Sequence, residues 1–215
     1  MGILNRLATK TWSFRSRVYL QHLQKRLKNR EFSLITNDCV GGVICHNLNM
    51  PFLSPTVNLW MTAEDYLVFL SDLPYFLSCP VEEIHEEGIN YPIGLLRKGT
   101  ETVKLYFMHY ESFEQAVEKW TSRAKRVLFD RLYIILDYPA DQASEAQQEQ
   151  IKERFQKLPY PNKVMLTKSS GLHGADIVNL PFYEHFTPGL ILKRRNDRTV
   201  KRYLDDFDYV GFLNR

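Results

Sequence analysis

The side chains that could do chemistry lie in a few short stretches of the 215-residue chain. Asn37-Asp38-Cys39 sets an amide, a carboxylate and a thiol in front of Gly41-Gly42. A thiol at the start of a helix becomes a nucleophile when its pKa falls, with a nearby His as its base. Glycines at a helix N-terminus leave backbone N–H groups open to a phosphate or a developing oxyanion. His109-Tyr110 closes "LYFMHY", and His109 is the candidate base. Asp137 ends the apolar run "LYIILD" and is, with Asp38, the alternative base. Arg123 and Arg126 sit late in "SFEQAVEKWTSRAKRV", where their guanidinium forks suit a phosphate or carboxylate. Plain structural roles compete: Asn-Asp before Gly-Gly also suits a turn and an N-cap, and basic residues at a helix end complement its dipole.

Weaker signals surround these. His46, His173 and His185 are isolated histidines, and "DDFD" at positions 205–208 resembles the DxD of metal-dependent glycosyltransferases, a pattern common by chance. No GxGxxG or Walker pattern occurs, and no Cys/His spacing suits zinc, so no metal site is expected. Cys39, Cys45 and Cys79 form an odd set, which argues for reduced thiols in a cytoplasmic protein.

The elements that must position these residues alternate between two periods. Residues 32–36 read as a strand, 41–49 as a short helix and 57–61 as a second strand. A helix capped by Thr62, with Glu64 and Asp65 in its first turn, should end between Pro74 and Pro80. Residues 93–96 and 103–108 read as a hairpin turned at Gly99, 112–127 as a helix with Phe113, Ala116, Val117, Trp120 and Ala124 on one side, and 132–137 as a strand covered on both faces. A polar helix over 144–157, a strand over 163–167 and a loop-rich stretch over 169–189 follow. Alternation of this kind predicts an α/β domain over 31–215, with helices flanking a single compact sheet that the hairpin makes mixed. Strands end at Asn37, His109 and Asp137, and Asn37, Cys39, His109 and Arg123 should line one pocket.

Residues 1–30 stand apart. They hold eight Lys or Arg and no acid, in a chain of net charge +3, so the body that follows is mildly acidic. Leu4, Leu7, Val18, Leu23 and Leu27 recur near helical spacing among the basic residues. This predicts a basic amphipathic helix suited to an anionic membrane surface or to the acidic body itself. It lacks the apolar core of a secretory signal, no run is long enough to cross a membrane, and no nucleic-acid-reading motif accompanies the charge.

Taken together, "FSLITNDCVGG", "SPTVNLWMTAEDYLVFL", "YPIGLL" and "LYFMHYESFEQAVEKWTSRAKRV" resemble the bacterial exopolysaccharide biosynthesis protein family, also catalogued as a domain of unknown function. The family pattern reads Asn-Asn-Cys-Trp-Gly-Gly. Here Asp38 and Val40 replace the second Asn and the Trp, while Asn37, Cys39, Gly41 and Gly42 match, as do His109, Tyr110, Trp120, Arg123 and Arg126. The resemblance implies a cytoplasmic α/β protein of capsule, O-antigen or exopolysaccharide assembly, peripheral at the inner face of the membrane if its basic helix attaches there. Its partner would be a saccharide or lipid-linked saccharide. The expected activity is transfer: acyl transfer from acyl-coenzyme A through Cys39, with His109 as base, ahead of glycosyl transfer from a nucleotide sugar. A non-catalytic part in the assembly complex is the third reading.

Overall fold

The computed structural model describes residues 3–140, 143–180, 190–196 and 199–215, the side chains of 3–11 and of 190 excepted. Helix α1 (Ile3–Arg26) leads into strand β1 (Ser33–Thr36) and helix α2 (Val40–Leu48). Helix α2 ends on Asn49, whose left-handed backbone sends its N–H back to the helix's last carbonyls. Helix α3 (Ala63–Ser71) begins where the Thr62 hydroxyl accepts from the Asp65 N–H. The expected single helix then breaks at Asp72, which caps α4 (Leu73–Ser78), because Pro74 in the first turn of α4 has no N–H to continue α3.

Strands β2 (Glu82–Ile84), β3 (Ile93–Lys98) and β4 (Glu101–Tyr106) form an antiparallel sheet in sequence order. The β3–β4 turn holds Gly99 at φ 59, as the sequence indicates. A Cβ there would meet no neighbour, so the requirement is purely backbone. Gly99→Ala should therefore cost about 1 kcal/mol, the left-handed penalty of an L-residue, read as a lowered urea midpoint with unchanged slope.

Helix α5 (Phe113–Ala124), strand β5 (Leu132–Asp137), helix α6 (Glu145–Lys157), strand β6 (Lys163–Thr167), strand β7 (Ile177–Asn179) and helix α7 (Tyr209–Leu213) complete the order. Ser112 caps α5, and Ser144 with Gln147 forms a reciprocal box at α6. Strands β1, β5, β6 and β7 make a parallel sheet in that order. The α/β class with flanking helices is thus present, but the described strands divide between two sheets instead of merging into one mixed sheet. Residues 57–61 form no strand. Only Trp60 pairs there, exchanging backbone hydrogen bonds with Tyr106, while the Met61 N–H donates to the Asn37 carbonyl at 2.7 Å. This short crossing stitches the antiparallel sheet to the end of β1.

Alternation along the central strands divides the core between the two faces of the parallel sheet. Ile134, Leu136 and Met165 pack with α3, α4, α5, α6 and the antiparallel sheet. Their neighbours Tyr133, Ile135, Val164 and Leu166 pack with α1, α2 and α7. Leu23 and Leu27 at the α1 end are buried in this second layer, the Gln24 amide donates to the Asn47 carbonyl, and Arg26 pairs with Asp208.

Candidate functional site

The carboxyl ends of β1 and β5 lie side by side, Thr36 paired with Ile135. Beyond them the Asn37 side chain does the work of another rung of sheet. Its Oδ1 accepts from the Asp137 N–H at 2.8 Å, and its Nδ2 donates to the Asp137 carbonyl at 3.0 Å. With only 7% of its surface exposed, Asn37 fixes the two strand ends together. The half-buried Asp38 and Asp137 are thereby brought to the same edge of the sheet, where Asp137 influences the titration of Asp38.

A carboxyl taken out of water is harder to ionise. Burial pushes Asp38 above the ordinary carboxylate range, against the bond from the Val40 N–H and the influence of Asp137. Beneath them the Tyr66 hydroxyl donates to the Ile35 carbonyl, and burial, then Tyr160, then Asp38 raise its phenol well above the usual value. A buried carboxyl with a raised pKa at a strand end has the equipment of a general base.

Cys39 stands at the N-terminus of α2, but its thiol moves opposite to the expectation for that position. Burial, then the Asp38 charge, push it up to about 11. The helix dipole favours a thiolate; desolvation and a neighbouring carboxylate outweigh it here. Site-resolved alkylation by iodoacetamide at neutral pH should therefore find Cys39 roughly 100-fold slower than an unperturbed thiol, and Asp38→Asn should speed it. A free-thiol rate in the native protein would contradict this geometry.

The glycines serve packing first. A Cβ on Gly41 would lie 2.8 Å from two Thr36 side-chain atoms, so α2 approaches β1 this closely only with glycine there. The Gly41 N–H donates to Thr36 Oγ1 and the Val40 N–H to Asp38 Oδ1. Two first-turn donors are thus already engaged, and the expected oxyanion cradle at Gly41-Gly42 loses the Gly41 N–H. A Cβ on Gly42 would touch Val57 at 3.3 Å.

Val57 links this turn to the other candidates. The Tyr110 hydroxyl donates to the Val57 carbonyl at 3.0 Å, and Arg123 donates to the Tyr110 oxygen at 2.8 Å with its guanidinium over the Phe52 ring. Burial raises the Tyr110 phenol despite Arg123, and the charge of Cys39 also reaches it. Asn37, Asp38, Cys39, Gly42, Tyr110, Arg123 and Asp137 thus form a continuous neighbourhood. His109 lies in the exposed turn after β4, and Arg126 is exposed past the end of α5; among the described residues neither side chain hydrogen-bonds to this group. His46 and His173 are exposed, and His185 lies outside the described residues.

"DDFD" is occupied by structural contacts. Asp205 accepts from the Arg202 N–H and the Tyr209 hydroxyl, Asp206 pairs with Arg195, and Asp208 caps α7 and pairs with Arg26. Sequence reasoning passed over Thr36, Tyr66 and Val57, which position the site through backbone contacts and carry no motif. Ala140, three residues beyond Asp137, is buried and held at φ 65. An L-residue in that region is a form of strain that clusters at functional loops.

Fold and site together define an α/β protein whose parallel sheet is covered on both faces and presents a carboxyl pair at its carboxyl edge. The chain belongs to the family described as a domain of unknown function, DUF1919, which matches residues 11–214 and so takes in most of α1. It is 31% identical over 192 residues to an uncharacterized protein of Haemophilus influenzae, covering 89% of this chain and 88% of that one.

Proposed function

We propose that this protein is a transferase acting on a saccharide or lipid-carried saccharide in exopolysaccharide, capsule or O-antigen assembly, with the Asp38–Asp137 pair as general base. The observation that supports it is the Asn37 clamp that ties Asp137 to the end of β1, beside an Asp38 carboxyl raised by burial. A carboxyl pushed toward the operating pH is a better base than an ordinary one. In the glycosyl-transfer form, an acceptor hydroxyl loses its proton to the pair and its oxygen bonds to the sugar's anomeric carbon. The bond from that carbon to the phosphate oxygen breaks, and a nucleoside diphosphate leaves. Arg123, held by Tyr110 and Val57, is placed to anchor that diphosphate through the rest of its fork.

Acyl transfer from acyl-coenzyme A through Cys39 and His109 is the second reading. It keeps the thiol at the start of α2, and is disfavoured by the raised Cys39 pKa and by the exposed turn that holds His109. Thermal unfolding in the presence of nucleotide sugars and of acyl-coenzyme A thioesters separates the two, because a ligand bound only by the native state raises its melting temperature. Glycosyl transfer requires a shift with a nucleotide sugar that Arg123→Ala abolishes. A shift with thioesters alone moves the reading to acyl transfer, and no shift with either sinks the transferase and leaves a non-catalytic component.

A further inference from the structure

Helix α1 uses one side to dock on the protein and leaves the other bare. Leu23 and Leu27 are buried, with Tyr19 and Leu20 packed beside them. On the opposite side Phe14, Val18, Gln21 and Lys25 succeed one another at helical spacing, all exposed. Phe14 is 66% and Val18 49% exposed, two of the few large apolar side chains left open to solvent among the described residues. Arg15, Arg17 and His22 flank this row, also exposed, and the first thirty residues hold no acid. The neighbouring Arg26 already has Asp208 as its partner, so Arg15, Arg17 and Lys25 are the cations this face presents.

We propose that the outer face of α1 docks on an anionic phospholipid surface, with Phe14 and Val18 entering the interface and Arg15, Arg17 and Lys25 lying over the head groups. Two exposed apolar side chains among Arg15, Arg17 and Lys25, on a helix side that is otherwise polar, suit an attachment led by charge. Charge complementarity selects this occupant. A second copy laid on the same face would bring like charges together, whereas an anionic head-group layer neutralises them. Docking through Leu23 and Leu27 on the inner side keeps α1 fixed to the body, so attachment would carry the carboxyl pair to the membrane. The inference stands on α1 alone and does not depend on the reaction.

Flotation of the full chain tests it, using vesicles of phosphatidylcholine with and without phosphatidylglycerol. The protein should rise with the phosphatidylglycerol vesicles at low salt, stay behind with neutral ones, and be released as salt screens the charges. Arg15→Glu with Arg17→Glu should weaken partitioning by at least roughly 25-fold, at about 5-fold for each basic residue lost. Phe14→Ser with Val18→Ser should weaken it without lowering the melting temperature, since both side chains already face solvent. Failure of the native protein to float with anionic vesicles at low salt overturns the proposal, as does flotation untouched by both double variants. Sedimentation showing a dimer that Phe14→Ser with Val18→Ser dissolves would assign the face to a second copy instead.

Discussion

Asp38→Asn should lower turnover in the proposed transfer by about 100-fold or more, the usual contribution of a positioned acid or base, while raising the melting temperature at neutral pH. The two effects have one cause. Burial holds Asp38 above its ordinary pKa, so the folded protein binds its proton more tightly than the unfolded chain does. The stability contributed by that preference is fully present below the unfolded pKa and is lost as pH rises through the folded one. At neutral pH the native protein therefore carries a carboxylate it disfavours. The amide carries none, and its oxygen can still accept from the Val40 N–H as Asp38 Oδ1 does. The variant should be more stable by on the order of 1 kcal/mol at neutral pH, with the gap closing as acid protonates Asp38 in the native protein. Melting curves of both proteins across the acid-to-neutral range check this, and a variant that loses stability at neutral pH would show the carboxylate to be structural.

Asn37→Ala should be the most damaging single substitution at the site. Both backbone groups of Asp137 depend on the Asn37 side chain, at 2.8 and 3.0 Å, and alanine leaves a buried space water does not easily fill. Leaving a buried polar group unpaired costs about 1–3 kcal/mol, so the two groups together should cost roughly 2–6 kcal/mol. The strand ends would no longer be tied, and the placement of Asp137 beside Asp38 would loosen with them. Asn37→Asp separates the two bonds: it keeps an acceptor for the Asp137 N–H but turns oxygen against oxygen at the Asp137 carbonyl. Urea unfolding of both variants should give a lower midpoint than the native protein. An Asn37→Ala midpoint within error of native would show that the strand ends hold without it.

Much of this architecture could be read from local chemistry. Strand β6 falls on residues 163–167 and β5 on 132–137 as their apolar runs indicate, and the hairpin turns at Gly99. Thr62 caps a helix because its hydroxyl and the acids behind it act within one turn. Whether the hairpin joins the same sheet as its neighbours is not a local property: the crossing at Trp60 and Met61 is made by backbone bonds to Tyr106 and Asn37, which carry no side-chain signature. Strand β7 and helix α7 are too short for their periods to register.

At the site, Asp38 and Asp137 were both candidate bases because each follows a buried strand, yet only the adjacency of β1 and β5 makes them a pair. The thiol of Cys39 shows the opposite lesson. Its position at a helix start argues for a low pKa, and the burial and carboxylate that reverse it appear only when the chain is folded.

The titration of the two carboxyls is open to direct measurement. Aspartate carboxyls labelled with carbon-13 can be titrated by NMR in the native protein and in Asp137→Asn, with Asp38→Asn assigning the signals. The native pair should titrate in two separated steps, the upper one above the ordinary carboxylate range, and Asp137→Asn should leave a single step at Asp38. Independent titration of both carboxyls at ordinary values would contradict a carboxyl pair at this edge of the sheet, and with it the base on which the proposed transfer depends.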